Sequence, residues 1–383
     1  MKQFIDIVSI DQLKEINQSL KSIVEYRKSG LSLNHIVGCP LDCSYCVRHL
    51  FGNFEQRVPK ALCSDEMAVR SLINHIYFQK DITPIQLFNR ATDPMLPKVK
   101  KHTHNVLHLL DNLGLKNNVI LITRWKVTED DCKRFNELKN IKLTIFITYS
   151  GIEDEKIEPV NSKIASDSLI MLFKNSVNYK VILYWRPIIP GLNDTDEDLL
   201  KIKNLTMHAH AVVFSGLFYR DEISDYYKKN NLPELYQKTM RRKILPEYSE
   251  KKILNFFRSH NSDSTPIFRK TSCGISFVHR QADYNGHFGI NEICDICPKM
   301  QVLRCQKKWR KPDNDTILNM CKDLGATSPP IITDKAIIVQ GLDEQKRYFL
   351  QHTFEYQVHD IDKPHFYKRH GRAETGWITS DEK

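Results

Sequence analysis

A repeated alternation of short β-rich runs and amphipathic helical stretches, between residues 31 and 220, constrains the fold more than any other feature. Strands are predicted near residues 33–37, 85–89, 119–123, 143–149, 181–186 and 212–217. Helices are predicted between them near residues 66–78, 98–113, 128–138, 162–174 and 194–205, with Thr128 and Asp194 as N-cap residues. This rhythm is typical of βα units around a parallel sheet, in which the chemistry lies on the loops that follow the strands.

The rhythm also divides the chain into four parts. Residues 1–30 are predicted to form a flanking helix, and residues 31–225 the βα domain. Residues 226–311 are predicted to form a helical, cysteine-rich region. Residues 312–383 are predicted to form a small α+β module with a helix near 315–324, a strand at 336–339, a helix from 343 to about 356 and an irregular tail.

The bulk composition indicates a globular protein in which a metal site would have a functional role rather than be needed for folding. A chain of 383 residues with 41% hydrophobic residues can bury a sizeable core without needing metals or disulfides to fold. It lacks an apolar run of the roughly 20 residues that would span a bilayer. Acidic residues interrupt its N-terminal segment, so we expect no signal peptide, no membrane association and a cytoplasmic location. Ten cysteines in that setting favour metal binding over disulfides.

Cys39, Cys43 and Cys46 form the first cysteine group and directly follow the first predicted strand. Structural zinc normally takes four protein ligands, whereas cysteine-held iron–sulfur clusters accept variable spacings. Three thiolates on one loop would leave one iron of a [4Fe–4S] cluster open to another ligand. The alternatives are a zinc loop or cysteines without a shared role.

The CxxxCxxC spacing, the aromatic Tyr45 before the third cysteine and the strand upstream resemble the signature of the radical S-adenosylmethionine (SAM) superfamily. The resemblance implies a partial (β/α)6 barrel of TIM-like type and a [4Fe–4S] cluster that binds SAM. It further implies reductive cleavage of SAM to a 5′-deoxyadenosyl radical, with an electron donor such as flavodoxin or ferredoxin. Tyr45 would lie near the adenine, or would simply pack as an aromatic side chain.

Polar residues at the other strand ends are candidates for SAM binding. The resemblance implies that Asn89, Thr92 and Asp93 bind the methionine amino group, although Thr92 and Asp93 could instead form a turn before Pro94. Further candidates are Thr148 and Ser150 for the ribose hydroxyls and Arg186 for the SAM carboxylate, to which a guanidinium can donate two parallel hydrogen bonds. A salt bridge at the sheet end is the other interpretation of Arg186.

Residues 91–94 and 186–194 are similar to the superfamily branch related to spore photoproduct lyase, and this similarity covers about residues 31–220. Arg90 stands where we align the hydrogen-donating cysteine of the lyase. This departure argues against repair of the lyase's thymine lesion.

Cys273, Cys294, Cys297 and Cys305 form the second cysteine group. Four thiolates satisfy either a second, auxiliary [4Fe–4S] cluster or a structural zinc. Pro298 follows Cys297 as in ferredoxin-type ligand runs, which favours iron–sulfur. Cys321 is excluded because it lies on an amphipathic helix with Ile317.

The formal net charge of +10 suggests an anionic partner, with nucleic acid or a nucleotide as the candidate. Residues 307–311 and 366–372 interleave cations with aromatics, as single-strand binders do, but solvated faces with inward-packed aromatics explain both segments equally well. His102, His104 and His108 are predicted to lie on a solvent-facing helix edge rather than to bind a metal.

The favoured function is a radical SAM enzyme that modifies a nucleotide, nucleic acid or other anionic molecule, assisted by a second metallocluster. The first alternative is a radical SAM enzyme that modifies a peptide or protein. The second is a non-catalytic, zinc-dependent nucleic-acid-binding protein.

Overall fold

A mostly parallel sheet of eight strands forms the centre of the molecule. The computed structural model describes residues 5–240, 242–260, 265–362 and 367–372. Its strands are β1 (Val24–Arg27), β2 (Gly30–Leu33), β5 (Ile85–Leu87), β6 (Asn118–Thr123), β7 (Lys142–Tyr149), β8 (Lys180–Ile188), β9 (Ala211–Gly216) and β10 (Ile267–Phe268). They lie in the order β1-β2-β5-β6-β7-β8-β9-β10, with β1 antiparallel to β2 and every other neighbouring pair parallel.

Helices connect the parallel strands and cover the sheet. They are α3 (Asp65–Ile73), α4 (Lys100–Asn112), α5 (Glu129–Asn136), α6 (Ser162–Lys174) and α7 (Asp196–Thr206). The middle strands are buried on both faces, which explains their nearly continuous apolar sequences. The predicted α/β fold is confirmed, and the carboxyl ends of the parallel strands all meet at one edge.

The last five predicted strands occur where the sequence placed them, but the first prediction, at 33–37, was displaced. The sheet uses Gly30–Leu33 instead, while Ile36–Val37 (β3) leave it and pair with Lys60–Ala61 (β4). Gly30 has a φ of 117°, and a Cβ there would lie 2.0 Å from the Pro84 carbonyl oxygen. The early start of the strand therefore depends on glycine.

The N-terminal region does not form the single flanking helix predicted for residues 1–30. Its described part contains α1 (Ile10–Glu15), α2 (Gln18–Lys21) and β1. Asn17 starts a new helix by accepting from the Ser19 amide, and Val24 and Tyr26 of β1 alternate into the core. The region therefore ends as an edge strand of the central sheet.

One of the two predicted helix caps is wrong. Thr128 is the N-cap of α5 and forms a capping box with Asp131. The cap of α7 is Thr195 rather than Asp194, because Asp198 lies at the position that completes a capping box with Thr195. The Asp194 carboxylate instead accepts from the Gly191 amide and the Ser249 hydroxyl.

The solvent-facing helix edge predicted for three histidines is also wrong for two of them. His102 and His104 are each 4% exposed, because carboxylates on neighbouring helices face them. His102 pairs with Asp65, which also binds His35, and His104 pairs with Asp131. The Ile5 amide donates to the second ring nitrogen of His102, so hydrogen bonds account for this group.

After β9 the chain builds the remaining helices and a small module. The helices are α8 (Asp221–Lys229), α9 (Glu247–His260), α10 (Thr271–Val278), α11 (Asn291–Cys294) and α12 (Lys299–Lys308). The module contains α13 (Asn314–Asp323), β11 (Ile331–Ile332), β12 (Ala336–Val339), α14 (Glu344–Phe354) and β13 (Gln357–Asp360). Cys321 lies on α13, the predicted helix, and packs in the core of the module rather than beside the second cysteine group.

Most of the tail that was predicted to be irregular lies outside the described residues; within it, β14 (Tyr367–Lys368) pairs with β15 (Gly371–Arg372). Among the described residues, no helix combines the length and apolar character that crossing a membrane requires.

Candidate active site

The carboxyl edge of the sheet opens into a cavity of about 700 Å³. All three cysteines of the first group line it. So do six of the seven residues predicted to bind SAM, namely Tyr45, Asn89, Thr92, Asp93, Thr148 and Arg186. The structure therefore gathers residues that are spread over about 150 positions of the sequence around one space.

The first cysteine group lies on a loop with little freedom to move. Gly38 enters the loop with a φ of 105°, and a Cβ there would lie 2.3 Å from the Val58 carbonyl oxygen. A 3-10 helix, Val47–Phe51, follows Cys46. Within it, the buried Arg48 donates to the carbonyls of Leu41, Phe54 and Gln56. These bonds fix the loop's backbone before any metal binds.

The three sulfurs of the first group are not drawn together as closely as the ligands of a single ion. In the described part of the chain, two sets of three potential ligand atoms lie within 4.8 Å of one another, and Cys39, Cys43 and Cys46 form neither. A tetrahedral zinc ion would hold its sulfurs only about 3.8 Å apart. An iron–sulfur cluster lies between its cysteines and separates them further.

A buried ion pair adjoins Cys43. Arg124, the first residue after β6, donates from Nη1 to Glu158 Oε2 at 2.5 Å, to the Tyr45 hydroxyl at 2.7 Å and to Cys43 Sγ at 3.4 Å. Burial alone would lower the pKa of Arg124, but the groups around it hold that pKa well above its usual value. A permanent positive charge therefore lies beside one of the predicted cluster ligands.

Tyr45 forms hydrogen bonds with both members of this ion pair. Its hydroxyl donates to Glu158, and the Arg124 guanidinium lies 5.4 Å from the centre of its ring. Tyr45 is 8% exposed, in agreement with the packing interpretation, although its ring also lines the cavity.

In the segment after β5, some polar side chains bond to other protein groups and one remains available to a ligand in the cavity. Asp93 accepts from the Thr123 hydroxyl and from the amides of Arg124 and Met95, so it forms the predicted turn and joins two strand ends. Asn89 bonds to Ser32 and Gln86. Thr92 Oγ1 is buried without a hydrogen-bond partner among the described residues. Its hydroxyl is therefore available to a bound ligand.

Thr148, near the end of β7, and Ser150, just after it, differ in whether they reach the cavity. Thr148 lines the cavity, whereas Ser150 is not among the described lining residues, and its hydroxyl accepts from the Ile152 amide. Arg186, near the end of β8, lies 4.2 Å from the centre of the Tyr184 ring. Within the described chain it has no carboxylate at ion-pair distance, so the predicted salt bridge at the sheet end is not formed there.

The second cysteine group surrounds a separate void of only about 20 Å³. Cys273 comes from α10, Cys294 from α11, Cys297 from the turn after it, and Cys305 from α12. Asp283 lies among them: its amide donates to Cys305 Sγ at 3.4 Å, and its carboxylate accepts from the Cys273 thiol at 3.9 Å. Burial raises the pKa of Cys294 to about 11 and that of Cys297 to about 12, so metal binding would displace protons here.

Two side chains line both cavities. His287 pairs through Nδ1 with Asp283 at 3.0 Å, and its Nε2 is buried without a partner among the described groups. Arg269 bonds to Glu250 and Asp295 and also lines both spaces. The wall between the two cavities is thus one side chain thick at these points.

Several residues of the site were missed in the sequence. Arg124 could have been found, because it directly follows a predicted strand. Glu158 lies in a long loop after β7, and Asp283 and His287 lie between the cysteines of the second group. Only their contacts in space mark these three.

The basic segment at residues 307–311 has its aromatic residue turned inward. Trp309 packs near Phe288 and Tyr356, while Lys308 and Lys311 pair with acidic side chains. This is the solvated-face interpretation. The other basic segment, residues 366–372, lies largely outside the residues whose side chains are described.

Comparisons with known proteins gave structural neighbours only. No protein-family model matches the chain, and no curated protein matches it. A structure of spore photoproduct lyase complexed with dinucleoside spore photoproduct is similar over 66% of this chain and 80% of that one, at 12% identity and a TM-score of 0.49.

Two structures of Streptococcus suis SuiB are also similar. The one bound to SAM covers 61% of this chain and 48% of that one, at 9% identity and a TM-score of 0.40. The one bound to the precursor peptide SuiA covers 65% and 50%, at 11% identity and a TM-score of 0.42. At these identities, functional conclusions depend on the chain's own residues.

Proposed function

We propose that this chain is a radical SAM enzyme that acts on an anionic second substrate. The observation that carries the proposal is the convergence of three cysteines from one fixed loop and the polar strand ends on a single cavity. A cavity of about 700 Å³ is large enough for SAM together with a small second molecule.

The residues present fit the implied cofactors. Cys39, Cys43 and Cys46 would hold a [4Fe–4S] cluster, and reduced flavodoxin or ferredoxin would supply its electron. Thr92, Thr148 and Arg186 would bind the polar groups of SAM, with Arg186 on the carboxylate. When bound and reduced, this pair of cofactors supplies a 5′-deoxyadenosyl radical for hydrogen abstraction. The protein's own part is to hold SAM in one orientation and to exclude water.

For the second cysteine group we propose an auxiliary [4Fe–4S] cluster rather than zinc. The ligand atoms of Cys273, Asp283 and His287 lie within 4.8 Å of one another, as a single ion requires. Cys294, Cys297 and Cys305 form no such group among the described residues, so these three thiols are spread too widely to share one tetrahedral ion. The four thiols come from three helices and one turn around a single void. A cluster there would also join these helices.

The charge of the cavity favours an anionic substrate. Ten Lys or Arg residues line it, against three Asp or Glu residues. Several of these cations are paired with carboxylates, but Arg186 and Lys243 have no carboxylate at ion-pair distance within the described chain. Low-dielectric walls strengthen such a field.

The proposal is tested by loading the protein with iron and sulfide without oxygen, reducing it and adding SAM. We expect about eight irons per chain with matching sulfide and release of 5′-deoxyadenosine. A content of about four irons per chain would contradict the auxiliary cluster but not the first cluster. Zinc in the absence of iron, or no 5′-deoxyadenosine from an iron-loaded protein, would overturn the enzyme assignment.

A further inference from the structure

Two lysines and two hydroxyls converge on one part of the cavity wall. Lys243 Nζ lies 3.0 Å from Ser215 Oγ and 3.3 Å from the Tyr184 hydroxyl. Lys270, three residues before Cys273, is 7% exposed and also lines the cavity. Tyr184 and Ser215 are buried, so water competes little for ligands at this place.

The local backbone holds Lys243 in position. Residues 217 and 244 form an isolated antiparallel bridge, with backbone hydrogen bonds of 3.1 and 2.7 Å. Gly216 permits this contact, because a Cβ there would lie 1.7 Å from the Ile244 carbonyl oxygen. The segment carrying Lys243 is therefore fastened to the end of β9.

The charges around this point show a surplus of cations. Burial, followed by repulsion from Lys243, lowers the pKa of Lys270 to about 7. Lys243 and then Arg186 lower the pKa of Tyr184 to about 8 against the effect of burial. Cys273 and, more weakly, Glu250 favour charge on Lys270, and the Glu250 carboxylate also accepts from Arg269 at 2.5 Å. A bound anion would relieve the repulsion.

We propose that Lys243, Lys270, Ser215 and Tyr184 form a subsite for the terminal phosphate of the second substrate. Two ammonium groups balance the double negative charge of a phosphate monoester, and two hydroxyls can donate to its remaining oxygens. The buried setting suits the end of a small molecule rather than the internal diester of a polymer. This inference rests on the proposed function, since it names the substrate class of the same cavity.

Binding is measured by calorimetry on the metal-loaded, unreduced protein with saturating SAM, so that phosphate does not compete for the SAM site. The probes are inorganic phosphate, uridine 5′-monophosphate, uridine and a short single-stranded oligonucleotide without terminal phosphates. We expect both phosphate-bearing small molecules to bind and uridine not to bind. Equal binding of uridine, or of the oligonucleotide, would overturn the assignment to a terminal phosphate.

The Lys243→Met variant should bind inorganic phosphate at least about tenfold more weakly, because a charged hydrogen bond is lost. Lys252→Met is the matched control, since Lys252 lies half-exposed on α9 and pairs with Asp196. Unchanged phosphate affinity in both Lys243→Met and Lys270→Met would overturn the subsite.

A spectroscopic readout separates the subsite from general effects on folding. Phosphate bound to Lys243 should raise the pKa of Tyr184 and reduce tyrosinate absorbance near pH 8 in the native protein, but not in Tyr184→Phe. If phosphate binds through Lys243 while SAM is never cleaved, the proposed function fails and the subsite stands.

Discussion

The two cysteine groups differ in how they are built and in what they face. The first takes three sulfurs from one short loop and opens onto a cavity of about 700 Å³. The second takes four sulfurs from three helices and one turn and surrounds about 20 Å³. A site made by one loop leaves room for other molecules. A site made by several helices is closed, and its metal also joins the elements that form it.

The largest expected effect separates the two groups by activity. Cys43→Ala should abolish 5′-deoxyadenosine formation, because a first cluster with two remaining ligands has lost its tripod. Its iron content should fall by about half. Cys132→Ala, a buried thiol on α5, is the control and should keep both. Full activity in Cys43→Ala would end the assignment of the first group.

The second prediction concerns metal and stability at the closed site. Cys305→Ala should also lose about half of the iron, but should still cleave SAM when reduced. Its thermal unfolding temperature should fall further than that of Cys43→Ala, because the metal joins α10, α11 and α12. Iron analysis and anaerobic calorimetry check this, with the module's Cys321→Ala as control. An equal fall in unfolding temperature in Cys305→Ala and Cys43→Ala would contradict the proposal that only the second metal site joins several helices.

Arg124→Leu tests how far the open site depends on its buried ion pair. The change leaves Glu158, which is 5% exposed, without its cation, and should lower the free energy of unfolding by about 3–5 kcal/mol. Exposed Arg134, paired with Asp130, provides the control, and Arg134→Leu should lower it by less than about 1 kcal/mol. Denaturant unfolding without oxygen measures both, and similar values would show that the Arg124 pair is not needed.

Arg186→Lys should weaken SAM binding about tenfold while sparing the iron content of both groups, because an ammonium group lacks the planar pair of donors. Calorimetric titration with SAM measures the change. If this variant binds SAM with wild-type affinity, Arg186 does not bind SAM and would instead be a candidate for binding the second substrate.

The last prediction concerns pH and Glu250, which bonds to Arg269 at the wall of the void that the second cysteine group surrounds. Burial alone would raise the pKa of Glu250, but His370 and Arg269 lower it to about 2. The stabilisation is therefore fully present above the unfolded value near 4.5 and is lost as the pH falls towards 2. Acid unfolding should be less steep over this range in Glu250→Gln than in the wild type, and identical slopes would contradict this.

The sequence predicted the sheet well because parallel strands buried on both faces have continuous apolar runs. It failed where a side chain's surroundings come from a distant segment. The burial of His102 depends on Asp65 of another helix, and the start of the first strand depends on how closely Gly30 approaches Pro84.

The site divides in the same way. Positions after strands were predictable, and six of the seven predicted SAM-binding residues line the cavity. The Ser150 hydroxyl instead accepts a hydrogen bond from the Ile152 amide in its own loop. Glu158 and Lys243 come from loops with no recognisable pattern, since their roles arise only from contacts with Arg124 and Ser215.

Gly216 carries no functional group, yet substituting it would alter chemistry elsewhere. A methyl group at this position would push residue 244 away from the end of β9 and draw the neighbouring ammonium group away from the cavity wall. In a genetic screen, such an allele would resemble damage to the catalytic machinery although the altered residue takes no part in it. Its signature would be a protein that folds, holds its iron and cleaves SAM, but turns over its second substrate poorly.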